Sequence, residues 1–82
     1  MELICAAVRD RKAEFFFPPF FCRTRVEAIR NFERLMQDPN RTGATSEYEI
    51  VAVGTFDDQT GQFSVFQLPE LLANGADFKQ GA

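Results

Sequence analysis

Leu3 to Val8 is an unbroken apolar run. With no polar alternation, it predicts a strand covered on both faces or lying centrally in a sheet. Arg9-Asp10-Arg11-Lys12 then forms a charged turn. Ala13 to Cys22 holds five Phe split by Pro18-Pro19. Two missing backbone donors exclude a regular central strand. The stretch reads as an edge strand or an extended, polyproline-like segment, with its rings fanned to different sides.

Thr24-Arg25-Val26-Glu27 is a capping box, in which the Thr24 hydroxyl accepts from the Glu27 amide. A helix follows to about Asp38, where Pro39 stops it. Ala28, Ile29, Phe32, Leu35 and Met36 make its apolar face. Arg23, Arg30 and Arg34 line the other side, and Arg41 continues that stripe approximately past the proline. A polar loop, residues 40–47, leads to a strand from Tyr48 to Phe56. There Tyr48, Ile50, Ala52, Gly54 and Phe56 point one way, and Glu49, Val51, Val53 and Thr55 the other. Asp57 to Gly61 is a hairpin connection, with Gly61 free to take a positive φ. Gln62 to Phe66 is the returning strand. Pro69 can open a short C-terminal helix that Gly75 ends, and residues 76–82 form a frayed tail. The order predicts one α+β domain over residues 1–82: an antiparallel sheet with one main helix packed on one face, plus a short C-terminal helix.

Composition adds a tension. A chain of 82 residues buries only roughly 60–65% of its unfolded surface, yet 45% of its residues are apolar and ten are Phe. Either some rings face solvent or a second chain covers them. The expectation is a homodimer or larger, with Phe15, Phe16 and Phe17 at the interface.

The candidate chemistry is sparse. There is no histidine, so the commonest acid–base and zinc side chain is missing. Cys5 and Cys22 form no metal-binding spacing and read as small buried thiols rather than a redox pair. Asp57-Asp58 serves a turn better than a metal, since no third ligand is evident. No phosphate-binding glycine loop and no nucleophile elbow occurs. The expectation is a non-enzyme with no cofactor and no metal. The N-terminus has no cationic leader and no run reaches membrane-spanning length, which predicts a cytosolic protein with no membrane partner.

Charge is lopsided. Residues 1–41 carry eight cations and six carboxylates, a net +2, while residues 42–82 carry one cation and six carboxylates, a net −5. The cationic half also holds six of the ten Phe. Cations beside exposed rings are what a single-stranded nucleic acid site uses. Lys12, Arg30, Arg34, Arg9 and Arg11 are the candidate phosphate contacts, and Phe20 and Phe21 the candidate base-stacking rings. Each has a plainer reading. The Phe15–Phe21 cluster also fits core or interface. The arginine stripe also fits a solvated helix face paired to Glu27 and Glu33.

Taken in order, Asp10-x-Lys12-Ala13, Pro19-Phe20-Phe21, Ala28-Ile29-Arg30-x-Phe32, Asp38-Pro39 and Gly54-x-Phe56-Asp57-x-x-Thr60-Gly61 resemble the small nonstructural protein of gokushovirus-type microviruses, which are single-stranded DNA phages. The resemblance runs from about residue 3 to residue 66. It implies a non-virion DNA-binding protein in the cytoplasm of the infected bacterium. Such a protein acts on the replication machinery or the emerging single strand, and shifts synthesis from duplex copies to packaged genomes. Arg30 and Lys12 are the cations that match the family pattern. The chain departs from that pattern in Phe15-Phe16-Phe17 and in its acidic second half. A second class of function stays open: a regulator that touches the viral replication initiator or procapsid protein and never grips DNA.

Overall fold

The structure, a computed structural model, describes residues 1–41 and 43–78. It is α+β, with one antiparallel sheet and one helix. The strands are β1 (Glu2–Asp10), β2 (Phe15–Phe16), β3 (Phe20–Cys22), β4 (Tyr48–Asp57) and β5 (Phe63–Asn74), and the helix is α1 (Arg25–Gln37). The spatial order is β2-β1-β4-β5, with β3 also on the outer edge of β1. The unbroken apolar run thus lies inside the sheet, and Ile4 through Val8 are all buried. Pro18 and Pro19 fall in the gap between β2 and β3, where a ladder needs no donors. Phe17 N–H still reaches Val8 O at 2.8 Å and holds the gap closed.

α1 starts where the capping box placed it. Thr24 is extended and its hydroxyl accepts from the Glu27 N–H at 3.1 Å. Asp38, ahead of Pro39, has left the helical region. Ala28, Phe32 and Met36 are buried against Ala6, Val8, Cys22, Tyr48 and Ile50, while Leu35 and Ile29 are half-buried. Complete burial of a ring such as Phe32 contributes about 1.5–3 kcal/mol.

Two expectations give way. The first is the uniform alternation of β4. Cys5 is registered with Gly54 but Ala6 with Ala52, so Val53 is an extra residue. Such a bulge reverses the side on which later residues point. Tyr48, Ile50 and Ala52 face the helix, whereas Gly54 and Phe56 face the opposite side, toward Phe21. The second is the short helix from Pro69 to Gly75. Those residues up to Asn74 are strand, with Leu71, Ala73 and Asn74 registered against Val51, Ile50 and Glu49. Pro69 is tolerated because Phe66–Pro69 bulge out beside Val53 and have no registered partners. Helical geometry is confined to one 3-10 turn, Gly75–Asp77.

That turn docks on another, Thr45–Glu47, and Gly75 is buried there. The expected frayed tail therefore does not start at residue 76. Phe78 packs edge-on against Phe32, with ring centroids 5.8 Å apart. The remainder of that tail, residues 79–82, lies outside the described residues. No described helix is long and apolar enough to cross a membrane.

Candidate nucleic-acid interface

Five of the eight cations in residues 1–41, among them the candidates Arg9, Arg11 and Lys12, are engaged by other groups. Arg11 Nε lies 3.7 Å from Glu49 Oε1, and its guanidinium also donates to the Ser46 carbonyl. Lys12 Nζ lies 3.6 Å from Glu47 Oε1. Both sit at the β1–β2 turn, whose backbone N–H groups at Lys12 and Ala13 are held by Asp10 at 3.0 and 2.9 Å. Arg9 lies over the Phe16 ring, 5.7 Å from its centroid. Arg25 is bound to Glu70 at 2.6 Å. Arg41 does not extend the helix stripe. It folds back and donates to the Met36 carbonyl at 3.1 Å and to the Gly43 carbonyl, capping the end of α1.

Arg23, Arg30 and Arg34 remain exposed and make no ion pair among the described residues. The helix-face pairing of Arg30 with Glu27 or Glu33 is absent there. Arg30 and Arg34, one turn apart, border a shallow open depression on the outer side of α1 with Thr24, Val26, Glu27 and Asn31. Asn31 is fixed by a long contact from its amide to Cys22 Sγ at 3.7 Å. Arg30 and Arg34 are held on one face by the helix, while Arg23 lies before the Thr24 cap, outside it. A guanidinium of this kind is chemically able to take a phosphate.

The aromatic residues are elsewhere. Phe20 lies on the helix side and packs against the core, and Phe15 and Phe17 share that side, 5.1 Å apart edge to face. Phe16, Phe21, Phe56 and Phe63 lie on the other side of the sheet. Phe21, Phe56 and Phe63 form a triad with centroids 5.6, 6.1 and 6.2 Å apart. The structure thus separates what the sequence joined. Arg30 and Arg34 lie on the outer helix layer, Phe21 on the open sheet face, and Arg11 and Lys12 at a turn between acidic partners. The Phe15, Phe16 and Phe17 run is divided between both sides and presents no single surface. Phe63, Val65 and Leu71 were missed as surface residues. Phe63 and Val65 share one face of the predicted return strand, but Leu71 falls in the stretch predicted as helix, and the register that joins them depends on the bulges.

Asp57 and Asp58 serve the hairpin. Asp57 accepts from Gln59 N–H at 2.9 Å and Thr60 N–H at 3.4 Å, and the first of these holds its carboxyl below the usual range. Asp58 holds the Met1 ammonium at 2.8 Å. Among the described residues no three ligating side chains converge as a metal site would need. Cys5 and Cys22 are free thiols, both buried, and burial pushes both up in pKa.

A family model described as Phage ORF5 protein matches residues 3–78. No curated protein and no solved structure matches the chain.

Proposed function

The chain belongs to the Phage ORF5 protein family, and from that premise we propose that it is a non-enzymatic phage protein that binds single-stranded DNA through the outer face of α1. Arg23, Arg30 and Arg34 hold the phosphates, with Asn31 and Thr24 as neutral hydrogen-bonding neighbours. The observation that carries this reading is the asymmetry among the cations. Arg11, Lys12 and Arg25 face carboxylates, while Arg30 and Arg34 on the exposed face of α1, and Arg23 just ahead of its cap, make no ion pair among the described residues. An unpaired guanidinium needs no salt bridge broken before it takes a phosphate. Phosphate contacts alone do not choose the strand type. The resemblance to the gokushovirus-type nonstructural protein selects the single strand, and with it a role at the step where genome copying passes to packaging.

The test is fluorescence anisotropy with a labelled single-stranded oligonucleotide, titrated across salt, with a duplex as control. Each phosphate contact to a single strand contributes a slope of roughly −0.7 in log K against log[salt]. Arg30→Gln with Arg34→Gln should flatten the slope by about one unit or more, to a similar degree for different sequences. Absence of wild-type binding at low salt would overturn the reading. It would leave the regulator that touches a replication initiator or procapsid protein without gripping DNA.

A further inference from the structure

We infer that the open face of the sheet is a docking surface for a second copy of this chain, packed sheet on sheet. This inference stands on the apolar face and does not depend on DNA binding by α1.

The face is built in rows across the strands. Leu3, Phe56 and Phe63 form one, and Phe21, Cys5, Gly54 and Val65 the next. Ala7, Val51 and Leu71 follow, and then Phe16, Arg9 and Glu49. Its centre is small and sunken, with Cys5, Ala7 and Val51 all buried, and its margins are large. Phe16 and Phe21 are each 48% exposed, Phe63 46%, Leu71 52% and Val65 77%. Taken at about 100 Å² each, they expose roughly 500 Å² of apolar surface, at the upper end of what a lone small protein shows.

Electrostatics decides against a nucleic acid here. The cations at this face are already engaged: Arg9 lies over the Phe16 ring, Arg11 reaches Glu49 at 3.7 Å, and at the hairpin the Met1 ammonium is held by Asp58 at 2.8 Å. A phosphate chain crossing it would have to displace a ring or a carboxylate from each cation it used. Edge-to-edge pairing is also opposed. Pro18 and Pro19 interrupt one edge, and Pro69 with the Phe66–Pro69 bulge interrupts the other. The face is the apolar surface that remains.

The occupant follows from self-complementarity. Arg9 and Glu49 are cross-strand partners on β1 and β4. A two-fold axis lying in the interface, parallel to the strands and between β1 and β4, carries Arg9 of one copy to the side of Glu49 of the partner subunit. It also carries Phe21 over Val65 of the partner subunit. An isologous contact needs such a reciprocal arrangement, and sheets packed face to face keep their strands nearly aligned. The size fits as well. The two longer dimensions, 44 and 22 Å, enclose at most roughly 970 Å², enough for the about 800 Å² per partner of a standard interface. In this dimer the two α1 helices face outward, one on each side.

Light scattering on the purified chain tests this. Wild type should show twice the chain mass of 9.3 kDa. Val65→Glu with Leu71→Glu, both on exposed positions, should halve the mass and leave the circular dichroism spectrum unchanged. Should that pair fail to fold, Arg9→Glu puts two carboxylates together and should raise the dissociation midpoint about tenfold. Arg30→Gln with Arg34→Gln should remain dimeric. A wild-type monomer at hundreds of micromolar, or a dimer indifferent to the face variants, would refute the assignment. So would a monomeric wild type whose single-strand binding is lost in Phe21→Ala, since the face would then be a stacking platform.

Discussion

Arg25 and Glu70 form a two-point contact, with Nε to Oε2 at 2.6 Å and Nη2 to Oε1 at 3.1 Å. It ties the first turn of α1 to β5, 45 residues away in sequence. The hydrogen bond from Arg25 holds the Glu70 carboxyl below its ordinary 4.5. A depressed carboxylate stabilises the fold above its unfolded value, and that contribution is lost as pH falls through the folded one. Glu70→Gln should therefore melt lower than wild type at neutral pH and low salt. The gap should close below pH 4.5 and also in molar salt, because both side chains are partly in water. Thermal melts across pH and salt check this. A gap that persists in acid would show that the pairing does not act through charge.

Thr24→Ala should cost about 1 kcal/mol, through loss of the bond to the Glu27 N–H. Urea midpoints read the difference. An unchanged midpoint would mean that the first turn of α1 holds without its cap.

Gly75→Ala should destabilise the protein more than any glycine change at the hairpin tip. A Cβ at residue 75 would run into the Thr45 carbonyl and lie 2.9 Å from Tyr48 O, both backbone atoms that cannot rotate away. At Gly61 a Cβ would meet nothing within 4 Å, although its φ of +76° makes any side chain there strained. The midpoints of Gly75→Ala and Gly61→Ala, measured side by side, decide the order.

Both thiols should react slowly in the native protein and completely on unfolding, because Cys5 and Cys22 are free and buried. Thiol counting with a chromogenic disulfide, before and after denaturant, reads this directly. Fewer than two thiols after unfolding would reveal a bridge.

The elements whose signals are local were legible in the sequence. The Thr24 cap and Pro39 bracket α1 within a residue, and the apolar run of β1 marked the middle of the sheet. What escaped depends on pairing between distant strands. Pro69 carries the same local signal whether it opens a helix or sits in a bulge, and only the register against Val53 decides. The site was half legible for the same reason. Arg30 and Arg34 are fixed on one face by helical spacing alone. Whether Phe20 and Phe21 join them depends on which side of a strand each ring takes, and neighbours on a strand take opposite sides.

Val53 has the effect of a frameshift inside a single strand. Upstream of it, β4 is written for the helix layer, and downstream the same alternation is written for the exposed layer. Were Val53 instead drawn into the ladder as an ordinary paired residue, every later side chain would stay intact and turn to the wrong side. Phe56 would point toward the helix, and Phe21 would lose its companion ring. The second layer of this small protein therefore hangs on a residue that has no partner of its own in the ladder between β1 and β4.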